Sequence, residues 1–497
     1  MAGSAKGREE GANPAPAQGP ETSAPMLSAA ARRIVPWLCG AALFMELLDA
    51  TIVNTAVPVM AKALGAAPLS LKTVLTSYTL SLAMFIPVSG WMADRFGTRG
   101  VFSSAVGLFL LGSLLCGLAV TLPMLVASRI LQGMGGAMMT PVGRLVLVRT
   151  FPRQEFIRAM NYVVIPSLMG PLVGPLLGGI IVQFHWRAIF FLNLPLGVVG
   201  LWLIRRHMPD YRSTGVPPLD LVGFVLFGGG IAIVSHVLEV FSEHAWSVGP
   251  LVAMTVVAAA LLAAYRVHAR RVAYPVLQLS LFGTRTFRAS VVGGFVTRLG
   301  IGGMPFLLPL LYQLGLGYTP WQAGLLMVPQ AAAAILMKLL SAGVLRRFGY
   351  RRVLIANTVL LGTTISAFSL VRVGAPVPAI VLLSFSQGFF SSLQFTSMNS
   401  LVFADVSDRD ASKASSIFST AQQLSLSFGV AVSSLVVAFY LRFAPGAPQA
   451  RLMGPLHDAF VTLGILTALS AGLFATLRAD DGENVSHHHA FPDARGK

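Results

Sequence analysis

The chain reads Gly90-Trp-Met-Ala-Asp-Arg-Phe-Gly-Thr-Arg-Gly100 at the point where two apolar segments, residues 73–93 and 101–120, follow one another. Each segment has about 20 residues, the length of an α-helix that crosses the hydrocarbon core of a bilayer. Lipid offers no hydrogen bonds to a bare backbone, so a crossing segment is expected to be helical. The stretch between the two segments is then a short turn at the membrane surface.

The composition extends this pattern to nearly the whole chain of 497 residues. Hydrophobic residues make up 55% and charged residues 11% of the sequence, and the mean hydropathy is +0.73, whereas soluble proteins carry about 25% charged residues. These values exclude a soluble multidomain enzyme. The net charge of +17 could indicate nucleic-acid binding, but the basic residues are spread over the loops between apolar segments. The expected partner is therefore the lipid bilayer, and no nucleic acid is expected.

Hydropathy predicts an all-α integral membrane protein with about fourteen spans. Their expected positions are residues 35–58, 73–93, 101–120, 124–146, 160–184, 188–204, 219–240, 249–266, 289–312, 322–345, 353–371, 378–402, 414–440 and 457–477. The even number places both termini on one side. If that side is the cytoplasm, 27 of the 36 Lys and Arg residues lie on it and 6 lie outside, which is the charge bias of inner-membrane proteins. The predicted location is a bacterial-type inner membrane, with both termini cytoplasmic.

A weak internal repeat divides the chain. Gly90-Trp-Met-Ala-Asp-Arg-Phe-Gly97 follows the second span, and Ala342-Gly-Val-Leu-Arg-Arg-Phe-Gly349 follows the tenth. Parallel half-repeats are common in transporters, although such turns could also recur by chance. We expect a disordered cytoplasmic tail at 1–33, a six-helix bundle at 34–206, two linker spans with a cytoplasmic loop at 207–287, a second six-helix bundle at 288–477 and a cytoplasmic tail at 478–497.

Charged residues inside the predicted spans are the first candidates for function. Asp49 lies about 20 Å into the first span at 1.5 Å per residue, and an ionisable group at that depth is costly unless it has a partner or faces a wet cavity. Glu46 lies one turn earlier on the same helical face. The two acids predict a site for protons and cations, with a structural ion pair between helices as the alternative. Arg129, Arg298 and Lys338 are the bases inside spans, and Lys338 could also snorkel to the membrane surface.

The fifth span contains Gly170-Pro-Leu-Val-Gly-Pro-Leu-Leu-Gly-Gly179. Small residues at every fourth position let two helices approach closely, and the prolines at 171 and 175 bend the helix because they remove backbone donors. The pattern predicts a bent, closely packed helix. A packing face without any directional role in transport is the alternative.

Five stretches resemble motifs of the major facilitator superfamily, and in particular of its fourteen-span drug:proton antiporter branch of multidrug exporters. They are the Gly90–Gly100 turn, Leu48-Asp-Ala-Thr-Ile-Val-Asn-Thr-Ala-Val-Pro58, Arg129-Ile-Leu-Gln-Gly-Met-Gly-Gly136, the Gly170–Gly179 stretch and His185-Trp-Arg-Ala-Ile-Phe-Phe-Leu-Asn-Leu-Pro-Leu-Gly197. The resemblance covers much of residues 40–200, and the fourteen-span length extends it to nearly the whole chain. It implies the major facilitator fold, with two six-helix bundles and two extra spans.

The resemblance also implies roles for single residues. Proton coupling falls to Asp49 and Arg129, and Asp94 is expected to lock the cytoplasmic side through a contact near Ser412. The expected substrate-cavity residues include the other charged residues inside the spans. They are Glu46, Asn54, Gln132, Arg298 and Lys338. The expected gating residues are Gly90, Asp94, Arg95, Gly97, Gly170, Pro171, Gly174, Pro175 and Gly178.

The predicted function is proton-coupled export of small lipophilic or cationic compounds by alternating access. Export is favoured because the Gly170–Gly179 stretch resembles the motif that marks antiporters in the superfamily. Two alternatives stay open. One is a facilitator-type carrier of an anionic metabolite, because the span interiors hold three bases and two acids; the other is a membrane-embedded enzyme, for which clustered His and Asp residues would be expected.

The expected partners are a small-molecule substrate and protons. No nucleotide-binding loop occurs in the sequence, so ATP is not expected as the energy source. No cofactor, metal site or catalytic residue is predicted. The sequence does not indicate whether accessory export proteins take part.

Overall fold

A computed structural model describes residues 29–243, 248–407, 410–443 and 448–486. Most of the predicted N-terminal tail and residues 487–497 of the predicted C-terminal tail lie outside the described residues. We label the membrane-crossing helices α1 to α14 in chain order. Their bounds are α1 Ala29–Ala63, α2 Lys72–Phe96, α3 Thr98–Leu118, α4 Leu122–Thr150, α5 Arg153–Phe184, α6 Asn193–His207, α7 Leu221–Glu243, α8 Val248–Ala269, α9 Arg285–Gly315 with a π-helical turn near each end, α10 and α11 together Pro320–Ala367, α12 Val377–Leu401, α13 Ala411–Leu441 and α14 Pro448–Leu469.

The count of fourteen rests on two details of this helix set. By length and hydropathy, twelve helical elements in the described ranges are able to cross a membrane. One of them, Pro320–Leu370, has 51 residues and is really two helices, because Gly349 takes a left-handed backbone (φ +72°) that ends α10 and begins α11. The other detail is α4, which has 29 residues but is made less apolar by Arg129 and Gln132. When Pro320–Leu370 is counted as two helices and α4 is included, the twelve elements become the fourteen spans expected from hydropathy.

The same turn occurs in both halves of the chain. Gly97, with φ +94°, joins α2 to α3, and Gly349 joins α10 to α11. Glycine is suited to both positions because it adopts positive φ without steric cost. The two copies of the predicted repeat therefore end in the same kind of backbone turn.

The helices pack as two six-helix groups, α1–α6 and α9–α14, which we call the N-half and the C-half. In the N-half, α1 packs on α5 and α4 packs on both α2 and α3. In the C-half, the pair α10 and α11 packs on α12 and α14, and α9 packs on α13. The halves meet where α2 contacts α13 and α5 contacts α10. The linker helices α7 and α8 pack on each other, and α7 also contacts α13.

Apolar packing differs between the two ends of the bundle. We call the end with Ala29 and residues 478–486 the terminus side, and the opposite end the far side. On the far side one apolar core joins both halves, with Met60 and Val74 from the N-half and Phe306 and Tyr312 from the C-half. Toward the terminus side each half has a core of its own. The halves are therefore sealed together on the far side and separate on the terminus side.

Candidate functional site

The central feature of the N-half is a buried ion pair between α1 and α4. Arg129 Nη1 lies 2.5 Å from Asp49 Oδ2, and the two side chains are 1% and 0% exposed. A charge at this depth is tolerated because an opposite charge and hydrogen bonds replace its lost water. The structure thus brings together the two residues predicted to couple protons.

Three more groups hold this pair in place. Gln132 Nε2 donates to Asp49 Oδ1 at 2.8 Å, while Gln132 Oε1 accepts from Arg129 Nη1 at 2.8 Å. Arg129 Nε donates to the Val74 carbonyl at 3.3 Å, and its guanidinium lies 4.1 Å from the centre of the Tyr78 ring. Gln132, predicted to line the substrate cavity, is instead fully buried beside Asp49.

Asn193 is a partner of Asp49 to which sequence reasoning gave no role. Its Nδ2 lies 3.2 Å from Asp49 Oδ1 and 3.4 Å from the Ser113 hydroxyl oxygen, and Ser113 in turn donates to the Phe190 carbonyl at 2.7 Å. Asn193 is 2% exposed. The sequence did contain a signal for this contact, because Asn193 is a lone amide in an otherwise apolar span within the segment 185–197. A buried amide needs hydrogen-bond partners.

A cavity of about 620 Å³ lies between the two halves. Asn54 and Arg129 line it from the N-half, and Phe418 and Gln422 line it from the C-half. The lining continues toward the terminus side, where it includes Asn399. The far side is closed by the shared apolar core. A solute could therefore reach this cavity from the terminus side.

Glu46 lies in the cavity wall, one helical turn from the buried ion pair. Its Oε2 accepts a hydrogen bond from the Thr140 hydroxyl at 2.5 Å, and the residue is 9% exposed. Within the described ranges, no Lys, Arg or His forms an ion pair with Glu46. The two acids of α1 therefore differ. Asp49 forms an ion pair with Arg129 and is fully buried, whereas Glu46 lines the cavity and has the neutral Thr140 as its partner.

The two predicted cavity residues of the C-half lie elsewhere. Arg298 is 1% exposed and lies behind Phe418, whose ring centre is 5.1 Å from the guanidinium carbon. Lys338 on α10 is exposed and lies outside the lining of this cavity. Of the five predicted cavity residues, Glu46 and Asn54 are in the lining.

The Gly90–Gly100 stretch lies on the terminus side of the N-half, where Asp94 connects it to α4 and to the linker. Asp94 accepts a hydrogen bond from Arg149 Nη2 at 2.7 Å and one from the Ser213 hydroxyl at 2.9 Å. These partners belong to α4 and to the linker, so the expected contact near Ser412 is wrong for this conformation. The physical reason is that the two halves are apart on the terminus side.

The glycines of this stretch differ in their surroundings. A Cβ on Gly97 would lie 2.7 Å from Arg212 Nε, and its positive φ excludes most side chains as well. Gly90 lies inside α2 with open space around it, so neither a turn nor a close backbone approach forms there. Arg95 is exposed beside Asp94.

The glycine face of α5 packs on α1, the helix that carries Asp49. A Cβ on Gly170 would lie 3.0 Å from Leu47 Cβ, one on Gly178 would lie 2.6 Å from the Ile52 carbonyl, and one on Gly174 would overlap the Thr51 hydroxyl. These contacts bear out the closely packed face expected from the glycine spacing. Pro171 and Pro175 lie inside this helix.

The far-side end of α5 also meets the C-half. Gly324 of α10 lies against the backbone of Pro175, and a Cβ on Gly179 would be 2.8 Å from Trp321 Cα. Two hydrogen bonds also join the halves, from Gln313 Nε2 to the Thr55 carbonyl at 2.9 Å and, between α13 and α2, from the Ser427 hydroxyl to the Thr76 carbonyl at 3.2 Å. The helix α5 thus connects the ion-pair helix to the far-side closure.

Comparison with known proteins places these features in context. The family model described as Major Facilitator Superfamily matches residues 39–284 and 290–495. A relative from Enterobacter sp. (strain 638), named as multidrug resistance protein MdtD, is 40% identical over 454 residues, which cover 90% of this chain and 95% of the relative. The protein of the same name from Serratia proteamaculans (strain 568) is 38% identical over 449 residues, with 90% and 94% covered.

Solved structures show the same fold at low sequence identity. A POT family transporter in complex with 5-aminolevulinic acid has a TM-score of 0.65 at 15% identity, with 88% of this chain and 94% of that chain covered. A bacterial homologue of the human lysosomal transporter Spinster, in an inward-facing and occupied conformation, has a TM-score of 0.65 at 14% identity, with 90% and 97% covered.

Proposed function

The chain belongs to the Major Facilitator Superfamily, and from that membership we propose that it exports small lipophilic or cationic compounds in exchange for protons. Family membership indicates a transporter and not an enzyme. Its relatives at 38–40% identity are named as multidrug resistance proteins, which supports multidrug efflux as its task. The single observation that carries the proton coupling is the buried Asp49–Arg129 pair beside the central cavity.

The cavity suits a drug-sized solute. Its volume of about 620 Å³ lies in the usual range for small-molecule sites, which combine apolar walls with a few polar groups that orient the ligand. Leu75, Ile86 and Phe418 supply apolar surface, while Glu46 and Gln422 supply polar groups. Glu46, with no basic partner in the described ranges, is placed to attract a cationic substrate.

The conformation supports a direction for the cycle. With cytoplasmic termini, as the basic-residue bias predicts, the terminus side is the cytoplasm and the cavity faces inward. Substrate would then enter from the cytoplasm or the inner leaflet. Export requires the far-side contacts of α5 with α10 to separate while the terminus side closes, which is the rocking motion typical of such half-repeats.

Asp49 can couple protons to transport because its charged form depends on a few partners, above all Arg129. A charged Asp49 needs Arg129, because a buried carboxylate without a counter-charge is strongly unfavourable. A protonated Asp49 no longer holds Arg129 in this way, and Arg129 lines the cavity. Protonation can therefore favour one conformation over another, and that difference in stability is all that coupling requires.

The test compares gradient-driven and gradient-free transport in proteoliposomes. Asp49→Asn should abolish pH-gradient-driven efflux of the lipophilic cation methyltriphenylphosphonium, while exchange of labelled for unlabelled substrate without a gradient continues. The matched control is Asp458→Asn, which changes an exposed carboxyl near the far-side end of α14 and should leave both activities intact. Full gradient-driven efflux by Asp49→Asn would refute the proton assignment.

A second arm separates the two acids of α1. Glu46→Gln removes a charge from the cavity wall without touching the ion pair, so it should weaken binding of methyltriphenylphosphonium more than binding of the neutral triphenylphosphine oxide. Coupling to the pH gradient should persist. An equal loss for both compounds would show that Glu46 has no role in charge selectivity.

A further inference from the structure

Arg298, near the middle of α9, is a buried guanidinium whose nitrogens lack hydrogen-bond acceptors. The side chain is 1% exposed, and its Nε, Nη1 and Nη2 atoms have no hydrogen-bond partner among the described residues. Arg129 in the N-half, equally buried, has a carboxylate, an amide oxygen and a backbone carbonyl as partners. A buried charge without such partners is among the most costly features a protein can carry.

The site around Arg298 is shaped for its side chain. The guanidinium carbon lies 4.8 Å from the centre of the Phe395 ring and 5.1 Å from that of Phe418. Gly294 leaves room for it, because a Cβ there would be 2.8 Å from Arg298 Nη1. Aromatic faces stabilise a cation partly, but they accept no strong hydrogen bonds from the five N–H groups of arginine.

The C-half supplies no counter-charge from its membrane-crossing helices. In their described residues the only acid is Asp458, which is exposed near the far-side end of α14. The two intramembrane acids of the N-half are otherwise engaged, since Asp49 pairs with Arg129 and Glu46 bonds to Thr140 in the opposite cavity wall. Glu239 of the linker helix α7 is likewise engaged, because it accepts a hydrogen bond from the Thr76 hydroxyl at 2.7 Å. We therefore expect a carboxylate that meets Arg298 in this conformation to come from a ligand.

One side chain, that of Phe418, is close both to the cavity and to Arg298. Phe418 lines the cavity and also covers the guanidinium. On the same face of α13, one helical turn to either side, Ser415 and Gln422 line the cavity. Rotation of the Phe418 ring would open a path from the cavity to Arg298, flanked by these polar groups.

We propose that Arg298 is an anion-accepting subsite of the transport cavity, closed by Phe418, and that it selects amphiphilic carboxylates with an aromatic body. The proposal rests on the proposed function, because it assigns a substrate class to the same cavity. The two phenyl rings would contact the aromatic body, and the guanidinium would take the carboxylate in a two-pronged contact. Glu46 in the opposite wall would meet an amine on the same molecule, so zwitterions belong to this class.

The experiment measures binding of a matched pair of fluorescent probes to the purified full chain in detergent. Dansylglycine carries a carboxylate, and dansylglycinamide is its neutral amide. The wild type should bind the carboxylate more tightly. Arg298→Gln should weaken carboxylate binding by about tenfold or more, as expected for loss of a charge-assisted hydrogen bond, with little effect on the amide. Arg298→Lys should keep part of the preference.

Phe418→Ala provides a second variant in case Arg298→Gln fails to fold. Opening the wall should preserve or increase the preference for the carboxylate. The proposal is overturned if the wild type shows no preference, if Arg298→Gln weakens both probes equally, or if Phe418→Ala removes the preference.

A separate readout distinguishes failure of this subsite from failure of the proposed function. Gradient-driven efflux of methyltriphenylphosphonium by the wild type tests the proposed function without involving an anion site. Cation efflux by the wild type together with an unchanged carboxylate preference in Arg298→Gln would overturn the subsite alone. Absence of cation efflux in the wild type would count against the proposed function.

Discussion

Asp49 is held by three side chains from two other helices, and each removes part of the cost of burying its charge. Arg129 supplies the counter-charge, while Gln132 and Asn193 donate to Oδ1 at 2.8 and 3.2 Å. A hydrogen bond to a charged group is worth about 1.5–3 kcal/mol. At residue scale the ionised state of Asp49 therefore depends on a small number of separable contacts.

The Asn193 contact leads to a prediction for a single residue. Asn193→Ala should lower gradient-driven efflux severalfold, because Asp49 loses a donor that stabilises its charged form and positions it toward Arg129. Gradient-free exchange should be nearly unchanged, since Asn193 does not line the cavity. The matched control is Asn161→Ala on the exposed surface of α5. An equal fall in both activities would indicate a general loss of folding instead.

The sequence allowed part of this site to be found. The depth of Asp49 and the motif around Arg129 were enough to identify the pair. Asn193 was missed because its partner is 144 residues away in the chain, and spacing along one helix carries no information on such a contact. Lys338 was misplaced because a span boundary does not tell which face of the helix points to the cavity.

Among the elements, α5 has the closest contact with α1. Its glycines meet α1 at Leu47, Thr51 and Ile52, and the Thr51 hydroxyl lies 3.4 Å from the Gly170 carbonyl. Gly174→Leu should abolish transport, since a branched side chain has to fit where the Thr51 hydroxyl now lies. Purified protein yield and efflux are the measurements.

Gly107→Leu on α3 is the matched control, because a Cβ at Gly107 meets nothing within 4 Å. That variant should fold and transport as the wild type does. Normal efflux by Gly174→Leu would show that the contact between α1 and α5 can relax without functional cost.

The turn between α2 and α3 gives a second element-scale prediction. Asp94→Asn removes the ion pair with Arg149 and should lower transport turnover while leaving membrane insertion intact. If the pair itself matters, Asp94→Arg combined with Arg149→Asp should recover part of the turnover. Wild-type turnover in Asp94→Asn would disprove the gating role of this turn.

The elements themselves were well predicted, and their ends were not. Hydropathy located all fourteen spans because a long apolar run has few alternatives in lipid. It placed a loop between 345 and 353, where the chain instead turns at a single residue, Gly349. It also gave no indication that residues 478–486, within the predicted C-terminal tail, bond to the C-half. Boundaries of this kind depend on tertiary contacts that hydropathy does not contain.

At the scale of the whole molecule, residues 478–486 tie the C-half together on the terminus side. Asp481 accepts hydrogen bonds from Arg285 Nη2 at 2.5 Å and Nε at 2.8 Å, and Asn484 donates to the Ala404 carbonyl. Burial alone would raise the pKa of Asp481, but hydrogen bonds from Arg285 and from the backbone of Arg478 outweigh it. The pKa of Asp481 therefore lies below its ordinary value of 3.8.

A lowered pKa in the folded protein stabilises the fold above the ordinary value, and this contribution is lost as the pH falls through the lowered value. Asp481→Asn should therefore reduce the melting temperature at pH 7, and the difference from the wild type should shrink below about pH 4. Thermal unfolding in detergent is the measurement. Asp480→Asn, an exposed neighbour, should have no such effect, and a pH-independent difference would exclude the ionic origin.

The apolar core shared by both halves on the far side gives the transport cycle a heat-capacity signature. Separating the halves there would transfer side chains such as Met60, Val74 and Phe306 toward water, and exposure of apolar surface raises heat capacity. Closure of the terminus side would bury apolar surface in exchange, so the two end states would differ in heat capacity by the difference between the exposed and the buried areas. Such a difference makes the balance between the two states vary with temperature along a curve. A transporter built in this way should show a curved Arrhenius plot even if a single step limits its turnover.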